Sequence, residues 1–419
     1  MVNVTNQRPG GNGSQTGLAN RLRILRLIRR GPTARSELAV ETGLTRAGIS
    51  LIVSRLVEQG LLVETGWRGS AGGRKPVLLE LRPDYGFAMG LTIARAGAEI
   101  GLVNLKGELL WQTPLRSEWP SRRVALLDIK QVLRRALASR RVANRRFLGL
   151  GISTPGPVDV TTGTILNPPH FELWQNVAIC EEVAGVAGPG AFLANNSQAL
   201  TMAEKAYGKG RDHSSFVLLV VERGIGAGIV HGGELFSGWR GFANEVGHTS
   251  IDYDGPVCEC GLRGCLELYA SVPNVLQRLR KTKPRVASWN DFIDLAYTGD
   301  TACLHLLEEQ ARALATALVN VINTLELEAI VLTGDILYRG ELLRGAVERQ
   351  VNQSAMNRRL RHIPVYLSSL DKHSPVMAAA GVAIEKFFAG DGGGPLTGAT
   401  VRAHSPRARG RYGARSAAS

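Results

Sequence analysis

Long apolar runs are missing from this chain. None of its 419 residues belongs to a stretch of the roughly 20 apolar residues that a bilayer crossing takes. The N-terminus, MVNVTNQRPGGNGSQTG, is polar and glycine-rich and lacks the apolar centre of a secretory signal. Cysteine is scarce: five in all, an odd number that suits a reducing compartment better than a disulfide framework. Acids are too few to balance bases, with 36 Asp and Glu against 50 Lys and Arg, a net charge of +14. These shortages exclude a helical membrane protein and a disulfide scaffold, and they predict a cytoplasmic protein without membrane partners. What is present is ordinary for soluble domains, 44% hydrophobic and 21% charged residues, in a chain long enough for two or three cores.

The positive charge is concentrated at the ends. Residues 1–82 carry 13 Lys/Arg against 5 Asp/Glu, and residues 391–419 carry 5 Arg against one Asp, which leaves only +2 for everything between. A basic N-terminal segment points to nucleic acid, though a solvated surface would show the same charge. Pattern separates the two readings. Leu18, Leu22, Leu25 and Ile28 recur at helical spacing, and Gly31-Pro32 stops that helix. Thr33 is placed to cap a short second helix, SELAVETG, and Gly43 to make the turn after it. In LTRAGISLIVSRLVEQG, Ile49, Ile52, Val53 and Leu56 would face a core, leaving Thr45, Arg46, Ala47, Ser50 and Ser54 outside. A small, polar outer face is what a helix needs to enter the major groove and reach base edges. Two strand-like runs follow, LLVETG and PVLLELRP, with WRGSAGGRKP between them. The hairpin reads as a wing whose Arg68, Arg74 and Lys75 contact phosphate or minor groove. Residues 18–82 are therefore expected to form a winged helix-turn-helix DNA-binding domain. The competing reading is a small helical module for protein contacts.

From residue 83 to 389 strands alternate with helices. The segments GFAMGLTIA, AEIGLVN and GELLWQ read as strands, RRVALLDIKQVLRRAL as a helix, and FLGLGIST as a buried strand running into PGPVD. FVLLVVERGIGAGIV reads as two strands about a glycine-rich turn, HLLEEQARALATALVNVINTLELE as a long helix, AIVLTGD as a strand and SPVMAAAGVAIEKFF as a closing helix. This predicts an α/β fold with mixed sheets and ligands at the strand ends. No short tandem repeat is evident. Residues 1–17 and the basic tail 390–419 are expected to be disordered.

The winged helix, PGPVD, GIGAG, NEVGH and CECGLRGCLE occur in that order, and together they resemble the ROK family of repressors, open reading frames and kinases. The resemblance implies a two-lobed actin-like, sugar-kinase fold with a sugar cleft between lobes, and a regulator branch that adds the DNA-binding domain. It places Asn195, Asn196, Glu245, His248 and Glu267 at the sugar, with the loop of Asn167 and Trp174 nearby. His248, Cys258, Cys260 and Cys265 lie within eighteen residues and offer three thiolates and an imidazole. That is a closed tetrahedral set for a structural Zn²⁺, with no position left for a catalytic water. Cys180 and Cys303 lie apart and read as core residues.

The family holds both kinases and repressors, and the phosphoryl-transfer machinery departs from the kinase pattern here. The kinases' general-base Asp is replaced by Asn196, and an amide cannot accept a hydroxyl proton near neutral pH. The stretch aligned with the kinases' Asp-x-Gly-Gly-Thr phosphate turn is GLTIARAGAEI, with neither that Asp nor the glycine pair, and the family's Gly-Gly after a later strand appears as Thr333-Gly334-Asp335. GIGAG remains, and reads most simply as a tight hairpin turn. The expectation is a non-enzymatic, sequence-specific transcriptional regulator, a repressor of carbohydrate genes. It would bind a double-stranded DNA operator and a sugar or sugar-phosphate effector as a homodimer or homotetramer. The competing readings are an ATP-dependent sugar kinase with an appended DNA-binding module, and a DNA-binding protein whose body only dimerises.

Overall fold

The helix-turn-helix forms where the sequence places its breakers. In a computed structural model, which describes residues 13–67, 76–95, 97–116, 118–188, 190–356, 358–370 and 374–390, the N-terminal unit contains α1 (Gly13–Arg29), β1 (Thr33–Ala34), α2 (Arg35–Thr42), α3 (Arg46–Glu58), β2 (Leu62–Trp67) and β3 (Val77–Leu81). Its strands run β1-β3-β2, all antiparallel. α1 begins at Gly13, so residues 13–17 are helical, not part of a disordered terminus. Thr33 does not cap α2. It pairs with Leu79 in the sheet and donates its hydroxyl to the Gly31 carbonyl at 2.7 Å, while the Glu37 carboxylate accepts the Ala34 N–H at 2.8 Å and closes the helix start. Gly43 turns the chain at φ 69°, a conformation that favours glycine. Thr45 caps α3 by accepting the Gly48 N–H at 3.1 Å. Ile49, Val53 and Leu56 are fully buried, as their spacing predicts, and Ile52 half-buried.

Lobe one contains β4 (Gly86–Ala94), β5 (Gly97–Asn104), β6 (Leu109–Pro114), α4 (Arg122–Leu137), β7 (Arg146–Thr154), β8 (Val158–Asp159), β9 (Thr164–Ile165), α5 (Ile179–Ala187) and β10 (Ala191–Asn195). α6 (Asn196–Tyr207) leads out of it. Lobe two contains β11 (Phe216–Val221), β12 (Ile225–His231), β13 (Glu234–Leu235), α7 (Leu266–Ala270), α8 (Val272–Arg280), α9 (Trp289–Tyr297), α10 (Thr301–Leu325), β14 (Ala329–Gly334), α11 (Glu341–Ser354) and β15 (Val365–Leu367). α12 (Ser374–Ala389) closes the chain's described part. No helix among the described residues is long and apolar enough to cross a membrane.

The two main sheets share one plan. Lobe one runs β6-β5-β4-β7-β10 and lobe two β13-β12-β11-β14-β15, each with two antiparallel pairings followed by two parallel ones. The duplication is structural, since no tandem repeat shows in the sequence. Each lobe's last helix then packs on the other lobe's sheet. α6 follows β10 but lies on β11 and β12, α12 follows β15 but lies on β4 and β7, and the two helices pack against each other.

Glycines admit both helices. Gly101, Gly90 and Gly151 stand side by side across β5, β4 and β7. A Cβ at Gly90 would sit 2.1 Å from the Val376 carbonyl oxygen, and one at Gly151 1.7 Å from that of Ala379, both in α12. In β12 a Cβ at Gly226 or Gly228 would meet the Ser197 or Thr201 hydroxyl of α6 at 2.0 Å. The GIGAG glycines are therefore not simply a hairpin turn: two of them lie inside β12 and seat a helix.

The N-terminal unit shares its core with the body. Leu25, Leu38, Ile49, Val53 and Leu79 belong to one apolar cluster with Leu105, Leu148, Ala383, Ile384, Phe387 and Phe388. α12 thus packs on lobe one and on α1 alike.

Gly151→Ala forces α12 off the sheet and is expected to lower unfolding free energy by about 3 kcal/mol, the upper range for overpacking. Denaturant titration checks this against Gly185→Ala, where nothing lies within 4 Å of the added carbon and stability should hold or rise.

Candidate binding cleft and metal centre

On α3, Arg46, Ala47, Ser50 and Ser54 are exposed together. Thr45 is exposed too, but its hydroxyl oxygen is occupied by the helix cap. Leu51 adds an apolar group, 56% exposed, one turn after Ala47. Sequence periodicity assigns no role to an exposed leucine, yet an apolar contact of that kind suits a thymine methyl. Arg68, Arg74 and Lys75 lie outside the described residues.

Between the lobes is a cleft of about 620 Å³. The PGPV segment of lobe one forms one wall, and the β11–β12 turn with Glu245, His248 and Glu267 the other. Asn195 and Asn196 sit where β10 passes into α6, so all five residues expected at a sugar line one cavity. Asn195 caps α6, its Oδ1 accepting the Gln198 N–H at 2.8 Å, which leaves its amide NH₂ for a ligand. Asn196 Oδ1 is buried and has no hydrogen-bond partner. Such an acceptor costs about 1–3 kcal/mol, recovered when a ligand hydroxyl donates to it. Glu267 Oε2 accepts the Ile225 N–H at 2.8 Å, fixing the carboxylate against the start of β12. Burial holds the Glu245 carboxyl above its usual range; His248 opposes the shift and Glu267 adds to it. Trp174 and Asn167 do not line the cleft. Trp174 is buried in lobe one, its ring edge-on to Trp119 at 5.9 Å, and Asn167 is exposed; only Pro169 of that loop reaches the cavity.

Charged side chains also line the cleft. Where a phosphate turn needs bare backbone, Arg95 projects, its guanidinium donating to the Pro169 carbonyl at 2.7 Å and 3.3 Å. Glu222 lines the cleft opposite. Its carboxyl is raised by burial and by the charge of Asp335, whose own carboxyl burial also raises. Gly334 is pressed so close that a Cβ would stand 2.9 Å from Glu222 Cγ. Asp335 thus adds to the raised proton affinity of Glu222, and two acids this close offer no cation to a polyphosphate.

His248, Cys258, Cys260 and Cys265 converge, with ligand atoms all within 4.8 Å of one another. Cys260 and Cys265 sulfurs are 3.5 Å apart, and Cys258 Sγ is 3.6 Å from His248 Nδ1. A tetrahedron with bonds of about 2.3 Å has edges of about 3.8 Å, so the set fits a metal ion. Burial, with the neighbouring Cys260 and Cys258 adding to it, pushes the Cys265 thiol up to about 12; a cation is what stabilises thiolates packed this closely. His248 turns Nδ1 to the sulfurs and also lines the cleft, so one ring joins metal centre and binding wall. Bridges between Ser250 and Cys265 and between Val257 and Arg263 shape the loop. Cys303 is buried in lobe two and Cys180 half-buried in lobe one, apart from the cluster.

The sequence profile of the ROK family matches residues 88–386. The xylose repressor of Bacillus spizizenii is 27% identical over 368 residues, covering 88% of this chain and 95% of that protein. The DNA-binding transcriptional dual regulator NagC of Escherichia coli is 28% identical over 377 residues, covering 86% and 91%. Among solved structures, a ROK family transcriptional regulator described as a homolog of E. coli Mlc superimposes with a TM-score of 0.76 at 26% identity, covering 90% of this chain and 98% of that one. A ROK hexokinase from Thermus thermophilus gives 0.61 at 26% identity, covering 71% and 98%. The regulator match thus takes in more of this chain than the hexokinase match does.

Gly264 sits at φ 64° with no room for a Cβ, which would stand 1.7 Å from the Asp252 carbonyl oxygen. Gly264→Ala should therefore open the cluster, and elemental analysis of the purified variant should fall from one bound metal per chain toward none.

Proposed function

The chain belongs to the ROK family, and on that premise we propose that it is a sugar-responsive, DNA-binding transcriptional repressor whose kinase-like cleft binds its effector without phosphorylating it. The repressor names of its relatives support this, as does the span of the regulator match. The observation that carries it is Asn196: at the seat of proton abstraction stands a buried amide oxygen that can accept a hydrogen bond from a hydroxyl but cannot take its proton. Asn195, Asn196, Glu245, His248 and Glu267 hold the hydroxyls of a sugar or sugar phosphate. Arg95, Glu222 and Asp335 keep the nucleotide end closed. The metal in the Cys₃His loop is zinc, held by ligands that leave no open position, and its work is to fix the cleft wall carrying His248 and Glu267. Arg46 and Ser50 read bases, Leu51 adds an apolar contact, and Arg68, Arg74 and Lys75 reach the backbone or minor groove. The protein works in the cytoplasm as a homodimer or homotetramer, because one recognition helix reads few base pairs and paired half-sites supply the rest.

The packing supplies a route from effector to DNA. α6 begins at the cleft with Asn196 and ends with Tyr207. The Arg29 guanidinium of α1 lies 5.6 Å from the Tyr207 ring centroid and 4.9 Å from that of Phe388, and pairs with Glu385 of α12 at 2.5 Å. Its side chain is only 10% exposed. A sugar that shifts α6 against lobe two therefore acts directly on the helix that bears the DNA-reading unit, provided its affinity differs between the two arrangements.

Two outcomes are expected. Purified protein given ATP, Mg²⁺ and a panel of pentoses and hexoses releases no ADP above background, while a bound sugar at a hundredfold its Kd adds about 2.7 kcal/mol of stability in a thermal-shift assay; sustained ADP release would defeat the repressor reading. Arg29→Met leaves sugar affinity within about twofold yet removes the sugar's effect on operator affinity, measured by fluorescence anisotropy with and without the sugar. That substitution separates transmission from binding because Arg29 is not among the cleft-lining residues.

A further inference from the structure

α6 walls a second cavity with a different face. Gln198, Met202 and Lys205, spaced along one side of the helix, open onto a chamber of about 490 Å³. All the structural units meet there: Phe192 from lobe one, Leu235 from lobe two, Val382 and Phe388 from α12, and Arg26 from α1. The floor is apolar and the rim charged. It is a separate chamber from the sugar cleft, linked to it only through the wall: Gln198, on this side, donates to the carbonyl of Gly241, which lines the cleft, at 3.1 Å.

The rim charges do not cancel. Glu385 is committed to Arg29 at 2.5 Å and Glu234 to Arg26 at 3.1 Å. Lys205 donates to the Gly233 carbonyl and has no carboxylate within ion-pair distance among the described residues. Just beyond it lies a smaller cavity of about 260 Å³ lined by Arg26, Arg29, Arg30, Lys205, Arg211 and His213, with the same two glutamates as its only acids. The larger chamber thus has an apolar body and, at one end, an ammonium outside any ion pair among the described residues, next to an excess of guanidinium groups. Burial lowers the proton affinity of Lys205, and Arg26 and Arg29 lower it further against Glu385 and Glu234. An anion placed there would relieve that cost.

We propose that this chamber is a second ligand site, for a small amphipathic anion whose apolar part lies on Phe192, Met202, Val382 and Phe388 and whose head is held by Lys205 and Arg26. The volume and the mixture of apolar wall with a few convergent polar groups are those of a small-molecule pocket. Because Arg26 belongs to α1, an occupant joins the N-terminal unit to both lobes; only that regulatory consequence, not the site itself, rests on the repressor reading.

The test uses the full chain and anilinonaphthalene sulfonate, an aromatic anion that fluoresces in apolar surroundings. The expected result is one saturable, blue-shifted site per chain, weakened about tenfold or more by Lys205→Gln and by the chamber-filling Met202→Trp, and unchanged by Asn196→Ala in the sugar cleft. A second readout needs no substitution. Cys180 lines the chamber and burial pushes its thiol up to about 11, so it alkylates slowly, and the dye should slow it further in peptide mass spectrometry of the unaltered protein. Absence of a saturable site, or a site indifferent to both substitutions with Cys180 unprotected, overturns the proposal. A saturable, Lys205-dependent site in protein that binds no operator would leave this inference standing and remove the repressor reading instead.

Discussion

Two helices crossing on bare backbone hold this molecule together. α6 leaves lobe one to lie on lobe two, α12 leaves lobe two to lie on lobe one, and each sits on a sheet surface cleared of side chains by glycine. A helix that close to a sheet cannot rock in place, because Ala379 and Val376 carbonyls already touch the strands beneath. Three features lie along α6: the cleft at one end, the buried Arg29 at the other, and a second chamber on the side between.

On the proposed repressor reading, few changes turn a kinase-like cleft from catalysis to recognition. A carboxylate becoming an amide removes the base yet keeps a hydrogen-bond acceptor, so hydroxyl recognition survives while proton abstraction does not. The substitutions at the opposite end act through space and charge. An arginine stands where bare backbone would cradle phosphate, and Glu222, its proton affinity raised by burial and by Asp335, stands where a polyphosphate would need cations. The metal loop belongs to the first group of features. His248 faces the sulfurs with one nitrogen and the cleft with the rest of its ring, so metal geometry and wall geometry are a single constraint.

The N-terminal unit is not a bead on a string. Its core continues into Phe387 and Phe388, and its basic α1 contributes Arg29 to a buried ion pair with Glu385. A buried pair of this kind is weak evidence of stability, since desolvation offsets most of the attraction, but breaking it leaves an uncompensated charge. That makes it suited to fixing one orientation of the DNA-reading unit against the body, which a purely apolar interface of the same area would fix less sharply.

What the sequence determined by itself is what short-range covalent spacing can encode. The Cys₃His set follows from ligands seventeen residues apart at most, α3 from apolar positions repeating every three or four residues, and the turn before it from a glycine that tolerates φ 69°. Even there local reading failed where two partners competed: Thr33 was a sound cap by type, but pairing with Leu79 took it into the sheet and Glu37 closed the helix instead. Trp174 belongs to a loop that the family resemblance places near the sugar, yet Trp119 offered it a buried face and it went into the core. Tertiary structure alone decided the matching strand order of the two sheets, the work of the glycines in β12 and the meeting of Arg29 with Glu385. It also decided the chamber behind α6. Each of these depends on segments tens to hundreds of residues apart being carried to one place by helices that cross between lobes. No periodicity within a segment records which distant surface it will meet.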